Sequence, residues 1–183
     1  ITTSPAHEFN PSWSPDGREI AYHAIKTGRR DVYIVTAEGL RERTISSEPL
    51  SYVRRHPHWS PDGKRIFYIT RDTADALVVA TVTRQDDGTW SARRTIAGLS
   101  AAPGMMAEPS PDGKLVAIAG RGSLWIVNAS GGTLRLLADS LALGGYARGV
   151  TWSHDPSIVY VSLLSLATVT ASGVTFVAVP IAG

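Results

Sequence analysis

Residues 13–17 read Trp-Ser-Pro-Asp-Gly, and residues 59–63 repeat all five letters. Residues 109–113 read Pro-Ser-Pro-Asp-Gly, and residues 152–156 carry a degenerate copy, Trp-Ser-His-Asp-Pro. The aspartates of the three intact copies stand 46 and 50 positions apart. A repeat period in the forties is typical of a β-propeller in which each repeat forms one four-stranded blade.

The residue types in each copy indicate a tight turn between two strands. Ser and Pro suit the first two positions of a type I turn, and Gly accepts a positive φ at its end. Two apolar runs, a glycine turn and a more polar run follow, as at residues 20–24, 31–35, 37–39 and 41–46. This increase in polarity along each repeat is typical of a blade whose inner strands are buried and whose outermost strand is exposed to solvent. No stretch shows helical periodicity, so we predict an all-β β-propeller of about four four-stranded antiparallel blades.

The repeats predict blades at approximately residues 4–46, 47–97, 98–140 and 141–183. In this alignment the last blade lacks its outer strand, unless residues 1–3 supply it and close a four-bladed ring. The alternative is part of a larger propeller, whose terminal blade edges would meet further blades or a second copy. We favour the larger propeller, because three residues make a short closing strand.

The repeated turns resemble those of TolB-like β-propellers, which are relatives of WD-repeat proteins. The resemblance covers essentially the whole chain and departs at His154-Asp155-Pro156, where Pro-Asp-Gly is expected. It implies a periplasmic or extracellular scaffold that docks a protein or peptide partner at the mouth of its central channel. TolB-like blades also precede the catalytic domains of some serine peptidases and amidohydrolases. An accessory propeller of a larger hydrolase is therefore the alternative function.

Composition argues against two other kinds of partner. The formal net charge is +2, and the Arg pairs are scattered, whereas nucleic-acid binders concentrate basic residues on one face. Residues 156–183 carry no charge, but they are rich in Ser, Thr and Val and are interrupted by Gly173 and Pro180. Such runs indicate strands, so we predict no nucleic-acid binding and no membrane span. The absence of cysteine excludes disulfides and thiolate metal sites.

His56-Pro57-His58 is the most distinctive candidate for chemistry. Imidazoles at alternate strand positions are common zinc ligands, and Glu108 would supply a third ligand. The repeat alignment instead places all three side chains on innermost strands, where polar residues line a wet channel. We therefore predict channel lining without a metal, and a small enzyme with a metal in the channel is the third hypothesis.

The loops that lead into the innermost strands carry Tyr, Arg and Met, which are enriched at binding surfaces. In a propeller these loops fall on one face, around the channel mouth. The predicted binding residues are Tyr52, Arg54, Arg55, His56, His58, Met106, Glu108, Tyr146 and Arg148.

The sequence carries none of the common catalytic motifs. Gly-x-Ser-x-Gly, His-Glu-x-x-His and the phosphate-binding loop are all absent. We therefore predict no catalytic residue and no cofactor. The recurring Trp13, Trp59 and Trp152 are expected to pack between blades, and the recurring turn aspartates to accept hydrogen bonds within the turns.

Overall fold

A computed structural model describes residues 2, 4–26, 28–45, 55–99, 106–120, 122–139, 146–164 and 174–181. For residues 146–148, 164, 174 and 175 it describes the backbone alone. All the extended regular structure in these ranges is β-strand. None of the described segments forms a helix with the length and apolar character needed to cross a bilayer.

Fifteen strands in the described ranges form four sheets, one after another along the chain. The first sheet comprises β1 (His7–Trp13), β2 (Glu19–Lys26), β3 (Arg29–Thr36) and β4 (Glu42–Thr44). The second comprises β5 (Arg55–Trp59), β6 (Arg65–Arg71), β7 (Leu77–Thr83) and β8 (Arg94–Gly98). The third comprises β9 (Met106–Pro109), β10 (Leu115–Gly120), β11 (Ser123–Asn128) and β12 (Arg135–Ala138). The fourth comprises β13 (Tyr146–Trp152), β14 (Ile158–Leu164) and β15 (Val174–Pro180).

Each sheet is an antiparallel meander whose strands pair in chain order. The first strands of successive sheets lie side by side: β1 contacts β5, β5 contacts β9, and β9 contacts β13. We call β1, β5, β9 and β13 the inner strands. Sheets arranged with their first strands adjacent are the blades of a propeller, so the predicted all-β propeller architecture is confirmed. Among the described residues, the fourth blade has three strands.

The repeated motif forms the turn between the first two strands of each blade. In the first blade, Ser14 Oγ donates to Asp16 Oδ1 (2.6 Å) and accepts from Glu19 N (2.9 Å). Gly17 closes the turn with φ of +69°, which a side chain would strain, and its N–H donates to Ser14 O (2.9 Å). The second and third blades repeat this network at the equivalent positions, as predicted for the turn aspartates.

The degenerate copy in the fourth blade keeps its aspartate and changes the turn. Pro156 stands where the other copies have Gly and has no N–H to donate. Asp155 Oδ1 still accepts from the amide two residues on, Ser157 N (2.8 Å). Ser153 N still donates across the turn to Ile158 O (3.0 Å). The adjoining strands therefore pair in the same register as in the intact blades.

The repeated tryptophan packs between blades in two of its three copies. Trp59 is 6% exposed and belongs to a core cluster with Val32 and Ile34 of the first blade. Trp152 is 9% exposed, and its Nε1 donates to Glu108 O of the third blade (2.9 Å). Each indole thus fills the seam with the preceding blade, and the predicted packing role is confirmed for both residues.

Trp13 differs, since it holds the same repeat position and is 55% exposed. No described segment encloses it in the way that the first blade encloses Trp59. A cavity of about 370 Å³ opens on the first blade, lined by Thr2, Glu8, Phe9, Pro11, Ile20, Tyr22 and Val35. The outer face of the fourth blade is also open, with Tyr160 38% and Phe176 67% exposed. Both terminal blades therefore present apolar side chains to solvent.

Candidate functional site

The two ends of the blades form opposite faces of the propeller. The Ser-Pro-Asp-Gly turns lie at one end, which we call the turn face. The inner strands begin at the other end, which we call the mouth face. Because neighbouring strands are antiparallel, the connections from β2 to β3 and from β6 to β7 also lie on the mouth face.

The inner strands of the first two blades are bulged close to the mouth face. The register shifts by one residue after Phe9 in β1 and after Arg55 in β5. Asn10 and His56 lie in these bulges with φ of +50° and +53°, a left-handed conformation that is uncommon outside glycine. A bulge re-aims the side chains beside it. His56 and His58 therefore do not follow the simple strand alternation expected for His-x-His.

Aromatic rings form a column that crosses from the first blade to the second. The rings of Phe9 and His23 stack with centroids 5.2 Å apart, and those of His23 and His56 lie 6.0 Å apart. His7 extends the column beyond Phe9, at 6.2 Å. Phe9 is 42% exposed, whereas His23 is only 4% exposed. The column therefore runs from the solvent into the seam between the two blades.

Burial keeps the two histidines of this seam neutral. It lowers the pKa of His23 to about 4, and the charges of Arg30 and Arg55 act in the same direction. Burial likewise lowers the pKa of His56 to about 4, with help from His23 and Arg55. Neither imidazole Nδ1 has a hydrogen-bond partner in the described part of the chain. At neutral pH the two rings carry no charge and have unused hydrogen-bonding capacity.

Three arginines lie near this column, and we call Arg30, Arg55 and Arg71 the cation cluster. Burial lowers the pKa of Arg55 first, and the positive charges of Arg30 and Arg71 lower it further. Among the described residues, no carboxylate counteracts these influences on Arg55. Arg55 Nε is buried and has no hydrogen-bond partner among the described residues.

The carboxylates near the cation cluster are engaged by other cations or by its outermost member. On the first blade, Asp31 pairs with Arg29 at 3.7 Å and Glu8 pairs with Lys26 at 3.8 Å. On the second blade, Asp75 pairs with Arg71 at 3.3 Å. The cluster therefore keeps a positive charge, centred on Arg30 and Arg55, that these carboxylates do not neutralise.

Glu108 connects the third blade to the fourth. Its Oε1 accepts from Thr151 Oγ1 (3.0 Å), and its carbonyl oxygen accepts from Trp152 Nε1. Burial raises the pKa of its carboxyl group. Met106 begins β9 on the mouth face, is half-buried and packs against the core of the third and fourth blades. Glu108 thus contributes to the seam between these blades.

The arrangement that the third hypothesis requires is not formed. Within the described ranges, no three His, Cys, Asp or Glu side chains are placed to hold a metal ion, and His56, His58 and Glu108 all lie in those ranges. Burial alone lowers the pKa of His58 to about 4. His58 is therefore a neutral side chain of β5 and not a member of a metal site with Glu108.

The remaining predicted binding residues are only partly placed by the structure. Tyr52 and Arg54 lie outside the described residues. Tyr146 and Arg148 lie on β13 at the mouth face, where the backbone alone is described. Of the predicted set, the structure brings Arg55 and His56 together on the mouth face.

Three side chains that join them were not selected from the sequence: His23, Arg30 and Arg71. Arg30 and Arg71 flank connections between the second and third strands of their blades, and these connections share the mouth face with the starts of the inner strands. That shared location could have been inferred from the repeat. His23 interrupts the apolar run of β2, which was the available signal for a polar group in the seam.

Known proteins resemble this chain in fold, although not in sequence family. No family model matches the chain, and no curated protein sequence matches it. TolB from Acinetobacter baumannii aligns over 97% of this chain and 42% of its own, with a TM-score of 0.71 and 18% identity. A TolB candidate from Agrobacterium tumefaciens aligns over 91% and 73%, with a TM-score of 0.64 and 17% identity. A puromycin hydrolase aligns over 86% and 27%, with a TM-score of 0.65 and 19% identity.

These similarities show a TolB-like propeller fold. At identities below 20% they carry the fold alone. The chain spans less than half the length of the Acinetobacter protein. The structurally similar proteins include TolB proteins as well as an enzyme. The function must therefore be argued from the site itself.

Proposed function

We propose that this chain is a non-catalytic, scaffolding propeller of the TolB-like kind, which docks a protein or peptide partner on its mouth face. The observation that carries the proposal is the cation cluster beside the aromatic column, where the inner strands begin. Arg, Met and aromatic residues such as Phe are enriched at protein interfaces. Arg55, His56 and Met106 of the predicted binding set all lie on this face.

The mouth face also contains local costs that a partner would offset. His56 adopts a left-handed backbone conformation, and Arg55 Nε is buried without a partner in the described part of the chain. Backbone strain concentrates at binding sites, and an unsatisfied buried polar group costs about 1–3 kcal/mol. A bound peptide that accepts a hydrogen bond from Arg55 would recover part of that cost. The resemblance to TolB-like repeats favours a periplasmic or extracellular location for this binding.

A peptide selection on the folded chain tests the proposal. Peptides from a random displayed library would be selected, synthesised and titrated, and amide hydrogen exchange would locate their contacts. We expect a bound peptide to slow exchange at the first residues of β3 and β5. Residues 60–64 on the turn face serve as an internal control and should exchange at an unchanged rate. A scrambled version of the selected peptide should slow neither region.

Two outcomes would contradict this proposal. Protection confined to the turn face, or to the open outer faces of the first and fourth blades, would place binding elsewhere. A library that yields no binder to a correctly folded chain would count against a peptide-docking role altogether.

An accessory propeller within a larger hydrolase is the second candidate function. The alignment with puromycin hydrolase favours it, because the matched region is only 27% of that protein. Mass spectrometry of the natural polypeptide tests this candidate. A mass well above that of these 183 residues, with a hydrolase motif in the additional sequence, would support it. A mass equal to that of these residues would remove it.

A further inference from the structure

The cation cluster brings three arginines near one another, and among the described residues a carboxylate pairs with Arg71 alone of the three. Burial and two like charges all disfavour the charged form of Arg55, yet a guanidinium stays protonated in proteins. Arg71 has a carboxylate partner in Asp75, whereas Arg30 and Arg55 have none among the described residues. The unneutralised charge therefore lies on Arg30 and Arg55.

A half-buried guanidinium without a counterion is costly, and one anion would offset several costs together. An anion between Arg30 and Arg55 would relieve the repulsion between the two cations. It would also give the Arg55 guanidinium group a charged hydrogen-bond acceptor, whereas the described residues supply none to its buried Nε. Guanidinium groups bind planar carboxylates through paired hydrogen bonds, which adds orientation to charge.

We propose that the mouth face recognises an acidic peptide segment, whose carboxylate is held by the guanidinium groups of Arg30 and Arg55. This inference rests on the proposed function and specifies the chemistry of the partner. The aromatic column favours a peptide over a free ion, since Phe9 is 42% exposed beside the cluster and offers an apolar surface to neighbouring residues of the peptide. A single negative charge is sufficient, because Arg71 already pairs with Asp75. Inorganic phosphate shares the anionic chemistry and is the alternative that the experiment must separate.

The test compares an acetylated and amidated tetraglutamate peptide with its tetraglutamine counterpart by calorimetric titration at low salt. We expect the tetraglutamine peptide to bind at least about tenfold more weakly, because hydrogen bonds to charged groups are worth more than neutral ones. Arg55→Gln and Arg30→Gln should each weaken tetraglutamate binding by about tenfold. Arg55→Lys keeps the charge but cannot form paired hydrogen bonds with a carboxylate. Its affinity for tetraglutamate should therefore lie between those of Arg55→Gln and the unaltered chain.

A matched substitution on the opposite face controls for loss of overall positive charge. Lys64 is exposed and follows the turn of the second blade. Lys64→Gln removes the same charge and should change the affinity by less than about twofold, because screening weakens charges at that distance. Bound tetraglutamate should also raise the imidazole pKa values of His23 and His56 in nuclear magnetic resonance titrations, since a nearby negative charge favours the protonated ring.

Three results would overturn the inference. They are equal binding of the tetraglutamine peptide, an equal loss in Lys64→Gln, and inorganic phosphate binding that is tighter than tetraglutamate binding. Arg30→Gln and Arg55→Gln lie on different blades, so circular dichroism on both keeps the test valid if one variant fails to fold. Library peptides could protect the mouth face yet bind both substituted chains with unchanged affinity. That result would support the proposed function and contradict the inference that Arg30 and Arg55 hold a carboxylate.

Discussion

The repeated turns and the cation cluster of the propeller differ in how their polar groups are paired. On the turn face, each intact repeat satisfies a Ser hydroxyl, an Asp carboxylate and a backbone amide within six residues. On the mouth face, Arg55 Nε and the Nδ1 atoms of His23 and His56 are buried without partners in the described part of the chain. The turns repeat one local hydrogen-bond network, whereas the cation cluster and the aromatic column combine side chains from different blades. Buried atoms without a partner among the described residues also occur near the turn face, at Trp59 Nε1, Arg84 Nε and Trp90 Nε1.

The turn networks stabilise the individual blades, whereas the side chains of the cation cluster are available to a binding partner. A network closed within a short turn needs nothing from outside and can be repeated in every blade. Buried polar groups without partners lower the stability of the fold, and proteins retain such groups where a function depends on them. The comparison leads to four predictions about stability: two for the turn face, one for the mouth face and one that compares a residue from each.

The largest expected effect concerns the tryptophan that begins the repeated turn. Trp59→Ala should lower the free energy of unfolding by about 3–5 kcal/mol, because it leaves a cavity in the seam with the first blade. Trp13→Ala is the matched control and should cost less than about 1 kcal/mol, since Trp13 is 55% exposed. Denaturant unfolding followed by circular dichroism measures both. Equal losses would show that Trp13 is enclosed in solution by a partner or a further blade.

The second prediction concerns pH and the mouth face. Unfolded histidine takes up a proton near pH 6.5, whereas folded His23 does so only near pH 4, so folding opposes protonation across this window. The free energy of unfolding should therefore fall as the pH drops from 6.5 to 4, by about 2–3 kcal/mol for His23 alone. His23→Gln should reduce the slope in this window, and the part of the decline due to His56 and His58 should remain. An unchanged slope in that variant would show that His23 is not buried as a neutral group.

The turn face should respond in a separate and lower pH window. The hydrogen bond from Ser14 holds the pKa of Asp16 below its usual 3.8, and Ser110 does the same for Asp112. These carboxylates stabilise the fold above pH 3.8 and lose that contribution as the pH falls further. The decline below pH 3.8 should therefore persist in His23→Gln.

The smallest effects come from one polar substitution on each face of the second blade. Asp62→Ala removes the acceptor for Ser60 Oγ and Lys64 N and should cost about 1 kcal/mol. Arg55→Gln removes an unpaired cation and should leave the free energy of unfolding unchanged within about 0.5 kcal/mol, or raise it. Midpoints of urea unfolding measure both changes. A loss for Arg55→Gln as large as that for Asp62→Ala would mean that Arg55 has a structural partner.

The elements that could be predicted from the sequence are those decided within a few residues. The turn at residues 13–17 was predictable because Ser, Asp and Gly satisfy one another locally. The strand order followed from the repeat period. The bulge at His56 was not predictable, because one additional residue opposite β6 depends on how the whole strand pairs. The candidate site was predicted in part, through Arg55 and His56.

By itself, the sequence determined the all-β architecture, the succession of blades and the face on which the inner strands begin. Only the tertiary structure decided that Trp59 is enclosed while Trp13 is exposed, since identical letters meet different neighbours. Only the tertiary structure brought His23 and Arg30 of one blade beside Arg55 and His56 of the next. The physical reason is the range of the interactions: turn hydrogen bonds form between residues close in sequence, whereas burial and charge repulsion depend on the packing of separate blades.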